Sequence, residues 1–306
     1  MSASRVSICI PVYNREELLA QALESAIAQD YPELEIVVSD NCSTDATRDV
    51  AERFARRDPR IRVRSNEHNL GTWPNYAACI RAATGEYIKF LNSDDILHPR
   101  ALSLMAPHLL DSGVKLVASR TLLVGAALEQ VDQPWWTNPP LPPGDVRVPG
   151  LLFGSICLAH NVNYAGCPTT VLFRRSDCGP DQVATFGGRS WDQSGDLAMW
   201  LGLCLGGDIV FLQDPISSVR VHDAAGGRQP WARPLSVLEW MDIVLRGHQA
   251  GFVAEPAHLR HALATALRML VSVPDALERT EYTDEILQGL AAGTAALAAS
   301  FAANAS

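Results

Sequence analysis

Several carboxylates stand where a fold has little use for them. Asp40 ends the apolar run from Leu34 to Ser39, and Asp94 and Asp95 follow the run from Glu86 to Leu91. An ionised carboxylate only accepts hydrogen bonds. Fixed at a strand end, Asp40 can read a donor such as the N3–H of uracil or thymine, with Tyr13 to stack on or flank the base. Asp94 offers a hard oxygen to a divalent cation, and Mg²⁺ takes one or two carboxylates plus substrate phosphates. Each group also has a plainer use. Asp40 can cap the next helix, although Ser43, Thr44 and Asp45 already offer caps. Asp94 and Asp95 can close an Asx turn. Asp196 begins a helical segment, where it can cap.

The elements that must position these groups alternate in the first third of the chain. Strands are expected at Val6–Ile10, ended by Pro11, at Leu34–Ser39, at Ile61–Arg64 and at Glu86–Leu91. Helices are expected between them. The first is capped by Asn14 with Glu17 completing a capping box, another runs from Ala46 to Arg57, and a third from Trp73 to Ala83 is closed by Gly85. Such spacing implies right-handed βαβ units and a parallel sheet, whose ligands bind outside the carboxyl ends of the strands. Further on, Thr169–Phe173, Asp208–Leu212 and Ser217–Val221 read as strands, and Asp196–Leu205 as a helix with Leu197, Trp200 and Leu201 on its apolar stripe. The Pro-rich stretch Pro134–Pro149, with Trp135 and Trp136, reads as a surface loop able to stack on a sugar or cover a site. From Arg233 onward the pattern is helical; Leu259, Leu263, Leu267 and Leu270 share a face, and Pro274 ends that segment.

Bulk properties narrow the function. The 306 residues are 47% hydrophobic, enough for a sizeable core, and carry a net charge of −9. That charge argues against a nucleic-acid surface and against docking on anionic lipid. The 7 cysteines are odd in number and lack C-x-x-C spacing, so reduced thiols are expected rather than a disulfide or zinc framework. No signal peptide and no run of about 18 apolar residues is present, and the expected location is the cytoplasm or the inner face of its membrane. The first strand–helix turn lacks glycine, and neither a P-loop nor a G-x-S-x-G elbow occurs.

Val6-Ser7-Ile8-Cys9-Ile10-Pro11-Val12-Tyr13-Asn14 resembles the opening of family-2 glycosyltransferases with the GT-A fold. The family's Asp-Asp-Gly-Ser-Thr-Asp motif is matched by Asp40-Asn41-Cys42-Ser43-Thr44-Asp45. Asn69-Leu70-Gly71, Asn75, Gly85-Glu86-Tyr87-Ile88 and Leu91-Asn92-Ser93-Asp94-Asp95 follow in order, then Gly195 to Leu201 and Ser218-Val219-Arg220-Val221-His222. The resemblance implies an α/β GT-A fold: a mainly parallel central sheet flanked by helices, with a catalytic domain at 1–222 and a helical extension at 223–306. It implies a nucleotide-sugar site made by Pro11, Tyr13, Asn14, Asp40, Asn69, Asn75, Asn92, Ser93 and Asp94. Asp94 and His222 would hold Mg²⁺ or Mn²⁺, and Asp196 would be the general base of an inverting transfer. Asp95, Gly166, Cys167, Pro168 and Trp200 would border the acceptor or donor sugar, although Trp200 by its helical spacing reads as core. The donor expected is a UDP-sugar, with TDP and GDP as alternatives, and the acceptor a sugar or small molecule. The C-terminal helices are a candidate dimer surface. Asn92 stands in place of the family's first Asp and predicts a weaker cation site, and Asn41-Cys42, in place of Asp-Gly, remove a second carboxylate near the nucleoside. Two other readings compete: a nucleotidyltransferase of similar fold, which lacks its Gly-rich opening here, and a sugar-nucleotide-binding protein without turnover.

Overall fold

The computed structural model describes residues 3–221 and 232–271, together with isolated helical positions at 291, 295, 298 and 299. Two compact units emerge. The first comprises Met1–Pro149, Tyr164–Val183 and Gly206–His222.

Strands and helices alternate at the start of this unit: β1 (Val6–Val12), α1 (Leu19–Ile27), β2 (Leu34–Asp40), α2 (Thr47–Arg57), β3 (Ile61–Ser65), α3 (Thr72–Ala82) and β4 (Tyr87–Phe90). Next come β5 (Ile96–Leu97), α4 (Ala101–Met105), β6 (Val114–Ser119), β7 (Leu122–Val124) and β8 (Val146–Val148). After α5 (Gly150–His160), which belongs to the second unit, comes β9 (Val171–Arg174). The second unit then contributes β10 (Thr185–Phe186), β11 (Arg189–Ser190) and α6 (Gly195–Gly206) before β12 (Asp208–Leu212) and β13 (Ser217–Arg220) complete the first. The eight-stranded sheet has the order β3-β2-β1-β4-β9-β6-β12-β8. β3, β2, β1 and β4 are mutually parallel, β12 is parallel to β6, and β9 runs antiparallel between β4 and β6. Reversing twice leaves β6 parallel to β4, so the carboxyl ends of β2, β1, β4 and β6 share one rim. A small sheet, β5-β13-β7, completes the unit.

β1 is buried along its whole length because both faces are covered. Val6, Ile8 and Ile10 join Leu19, Leu23 and Ala26 of α1 in one core cluster. On the other face the thiols of Cys9 and Cys79 meet, which sets α3 there. Gly85 is required by close approach, since a Cβ at that position would lie 2.6 Å from Ser7 Oγ and 2.8 Å from the Arg5 carbonyl. Beside it, buried Glu35 accepts from Ser7 Oγ (2.6 Å), Thr84 N (2.6 Å) and Arg62 Nη2 (2.8 Å). Burial alone raises its carboxyl; these donors outweigh burial and leave its pKa below the usual value.

The second unit comprises Gly150–Asn163, Ala184–Leu205 and Asp223–Ser306. α7 (Ala232–Gln249) and α8 (Pro256–Val271) pack on each other and on α5, beside the β10-β11 hairpin. Gly154 lets α5 close down, because a Cβ there would meet the Phe252 ring at 2.4 Å. Leu259 and Leu263 are buried as the helical pattern requires, whereas Pro274 lies outside the described residues.

Several expectations are corrected. β1 does not stop at Pro11 but runs to Val12. The Val12 carbonyl accepts from Asn41 N on the β2 side and the Cys9 carbonyl from Leu91 N on the β4 side. Pro11 therefore turns its missing N–H toward β4, past that strand's last paired residue. α1 begins at Leu19 with no side-chain cap, not at Asn14 with a capping box. Asn14 instead has φ +49° and accepts from Thr44 N at 2.9 Å. The expected strand Thr169–Phe173 is a short 3₁₀ turn, Pro168–Thr170, followed by β9.

Candidate functional site

The rim at the end of β2 is organised by amides. Asp40 is 2% exposed; its Oδ1 accepts from Ser43 N at 3.1 Å, while Oδ2 has no partner among the described residues. Behind it Asn75 Oδ1 accepts from Ser39 Oγ (2.8 Å) and Asn66 Nδ2 (2.9 Å), and Asn75 Nδ2 donates to the Ser39 carbonyl. Asn41 donates to Asn69 Oδ1 (2.7 Å) and accepts from Asn66 Nδ2 (2.9 Å) and Leu70 N (2.9 Å). Asn69 and Asn75 are thus bound within the protein. Tyr13, 41% exposed, follows β1 on this rim, with buried Pro11 inside the strand.

Next along the rim, β4 leads into Asn92, Ser93, Asp94 and Asp95. Asn92 Oδ1 accepts from Tyr76 Oη at 2.6 Å. Ser93 is buried. Asp94 keeps 19% of its side chain exposed and lies 3.7 Å from Arg15 Nε. Asp95 turns inward, 1% exposed, and accepts from Thr169 Oγ1 (2.5 Å) and Arg220 N (2.9 Å). Thr169 also takes Asn92 N at 3.0 Å, which ties the end of β4 to the turn before β9. Burial raises the Asp95 carboxyl to about 7, with the Asp94 charge adding to it, and lowers buried Lys89 to about 7. Lys89 Nζ donates to the Thr169 and Val171 carbonyls. Gly166, with φ +81°, and Cys167 adjoin this turn, and the Cys167 thiol touches Asp95 Oδ2 at 4.0 Å. Pro168 is buried in the turn itself.

Arg220 neither faces solvent nor stands ready for phosphate. It is 4% exposed, and its guanidinium donates to the Asp94 carbonyl (2.8 Å), Gln21 Oε1 (2.8 Å) and the Ala126 carbonyl. It braces the Asp94–Asp95 turn from behind. His222 lies outside the described residues.

In the second unit, Asp196 sits in the first turn of α6, half-buried, with Oδ1 accepting from Leu197 N at 2.7 Å. Loss of solvent raises its pKa to about 6, against the lowering effect of the Leu197 N–H and Asn163. Glu239 of α7 holds the approach to this helix, accepting from Asp192 N (2.9 Å) and Ser194 N (2.6 Å). Trp200 is 1% exposed within this unit, packed as its helical spacing predicts.

Arg15, Tyr76, Thr169 and Glu239 escape a reading of spacing. Arg15 carries the one available signal, a cation directly after the first strand's rim. The other three are recruited across the fold.

The family profile described as Glycosyl transferase family 2 matches residues 7–158. An uncharacterized Mycobacterium tuberculosis protein, MT1568, is 30% identical over 234 residues, 72% of this chain and 68% of its own length. The chain belongs to glycosyltransferase family 2. Another relative of this family-2 chain is the GalNAc(5)-diNAcBac-PP-undecaprenol beta-1,3-glucosyltransferase of Campylobacter jejuni, 36% identical over 102 residues. That match spans 33% of each chain, so only a third of the relative's length is shared. Among solved structures, S. aureus TarS 1-349 in complex with UDP-GlcNAc gives a TM-score of 0.68 at 20% identity, covering 94% of this chain and 80% of that one. Mannosyltransferase PcManGT from Pyrobaculum calidifontis, in complex with GDP-Man and Mn²⁺, gives 0.57 at 18% identity, covering 96% and 81%. At such identities they show the fold: a GT-A-like α/β transferase with a mostly parallel sheet between helices. No helix among the described residues is long and apolar enough to cross a membrane.

Proposed function

We propose that this family-2 glycosyltransferase moves a sugar from a UDP-linked donor to an acceptor hydroxyl with inversion at the anomeric carbon. The observation that carries this reading is the shared rim of β2, β1 and β4. It sets Asp40, one of whose carboxylate oxygens has no hydrogen-bond partner among the described residues, and partly exposed Asp94 on either side of the strand that ends before Tyr13. In this reading Asp40 accepts the base N3–H, Tyr13 covers the base, and Asn92, Asp94 and Arg15 face the ribose and diphosphate. In the same reading residues 1–222 carry the catalytic machinery and residues 223–306 are an extension, although part of the second unit, including α6, is drawn from the first 222 residues.

Among the described residues, a divalent cation finds one open carboxylate here. Among the described residues no group of three His, Cys, Asp or Glu side chains is placed to hold a metal. Asp95 is locked inward and the Asn92 carbonyl is engaged by Tyr76. Asp94 remains, which suits Mg²⁺ or Mn²⁺ carried mainly on substrate phosphates with a single carboxylate from the protein. Such an ion would supply charge stabilisation to the departing diphosphate. Asp196, with a pKa of about 6, is ionised at neutral pH yet basic enough to accept the acceptor's hydroxyl proton as its oxygen attacks. Glu239 keeps the loop before Asp196 in place.

The test is donor consumption with UDP-, TDP- and GDP-sugars in the presence of Mn²⁺. UDP-sugar turnover that disappears in Asp196→Asn, with nucleotide binding retained, supports the reading. Undiminished turnover in Asp196→Asn rejects the base, and preference for a TDP- or GDP-sugar rejects the donor assignment.

A further inference from the structure

A cavity of ≈ 380 Å³ opens where the chain leaves β6, lined by Arg120, Thr121, Gln133, Trp135 and Asn138 among others. β6 is parallel to β4, so Arg120 emerges on the same rim as Asn92 and Asp94, with β9 between. One lining residue, Thr121, adjoins the turn before β9. Thr121 Oγ1 lies 2.8 Å from where a Gly166 Cβ would be, and Cys167, the next residue, touches Asp95.

Two features of this cavity bear on what it could hold. The Trp135 indole is 68% exposed in a protein with ample core, and it is not on a loose loop. Gln133 pins the loop to β7 through Leu123 N and the Leu123 carbonyl, each at 2.8 Å, and Thr137 Oγ1 donates to the Pro134 carbonyl at 2.8 Å. The second feature is Arg120, half-buried and bonded only through its main chain, its N–H to Leu212 and its carbonyl to Ser119 Oγ. Its guanidinium has no partner among the described residues. Arg53, Arg56 and Arg100 also lack a side-chain partner among the described residues, but they are exposed, whereas Arg120 is half-buried; Arg147 holds both Asp111 and Asp208, and Arg60, Arg62 and Arg174 each hold a carboxylate.

A rigid indole face binds the C–H face of a pyranose, and a guanidinium fork matches a carboxylate or phosphate. The chain's net charge of −9 gives anions no long-range attraction, so an anionic ligand needs a local unpaired cation. We propose that this cavity is an acceptor-side subsite for an anionic saccharide unit, a uronic acid or a phosphorylated sugar, with its ring on Trp135 and its anion on Arg120. The proposal rests on the transferase reading and adds the chemical class of the acceptor.

The experiment titrates the full chain with trigalacturonate and trehalose 6-phosphate, and with maltotriose and trehalose as neutral counterparts, followed by calorimetry and tryptophan fluorescence. UDP is titrated alongside. At least one anionic sugar should bind about tenfold or more tighter than its neutral counterpart, a gain typical of a charge-assisted pair. Which one does so separates carboxylate from phosphate. Arg120→Gln should erase the difference, Arg120→Lys should keep part of it, and Trp135→Ala should remove binding and the fluorescence change; all three should still bind UDP. The proposal fails if the anionic sugars bind no tighter than the neutral ones, or if Arg120→Gln and Trp135→Ala bind as wild type does. Anionic-sugar binding without UDP binding would sink the donor reading and leave the subsite standing.

Discussion

At the end of β2, Asn41, Asn66 and Asn75 commit their amides to one another and to the backbone. At the end of β6, on the same rim, an indole faces water and a guanidinium goes unpaired among the described residues. The first region is a finished scaffold that fixes the floor beside Asp40 before any ligand arrives. The second is unfinished, and its partners must come from outside. Asp95 and Asp94 repeat the contrast within two adjacent residues, one sealed by Thr169 and Arg220, the other partly open beside Arg15. Closed groups should therefore carry stability, and open ones rate or affinity.

The largest effect should fall on Asp196. Asp196→Asn should lower transfer by about 10²–10⁴-fold, the usual range for a lost general base, with the melting temperature little changed. In the wild type the rate should fall about tenfold per pH unit below about 6, as the carboxylate whose pKa burial has raised takes up its proton; a flat profile from pH 5 to 8 would separate Asp196 from the chemistry. Asn75→Ala attacks the closed region and should do the reverse. It orphans the buried partners Ser39 and Asn66, at a cost of about 2 kcal/mol in urea unfolding, while kcat in the surviving folded enzyme stays close to wild type. Arg120→Gln should raise the KM for an anionic acceptor about tenfold, leaving kcat and the unfolding midpoint in place. Smallest of all, Asn92→Asp adds a carboxylate next to Asp94 and should tighten Mn²⁺ dependence by a few-fold, about 0.5–1 kcal/mol.

Much of this architecture is legible in the residues alone. Buried parallel strands are short apolar runs, so β2 and β12 stand out, and the residues just past such runs lie on the ligand-binding rim. Asp40 and Asp94 can be picked from that rule alone. The failures have a common cause in tertiary partners. Asn14 and Glu17 spell a capping box, but Ser43 and Thr44 arrive from the next βα loop and claim Asn14. Arg220 could not be assigned because all four of its partners, Gln21, Asp94, Asp95 and Ala126, are distant in sequence. α5 is apolar on all sides, so no stripe announces it as a helix, and Gly154 makes sense only with the Phe252 ring in view. Glu239 positions the loop before Asp196 from a helix beyond the matched motifs, and no local pattern could point to it.

All of this turns on whether the sheet's carboxyl rim is built to hold a uridine diphosphate. Calorimetric titration of UDP with Mn²⁺ into the wild type and Asp40→Ala decides it. One UDP should bind per chain, with an affinity at least about tenfold lower in Asp40→Ala, the loss expected when a charged hydrogen-bond acceptor is removed. Equal affinity in the two proteins, or no heat of binding in the wild type, would show that the rim serves another ligand.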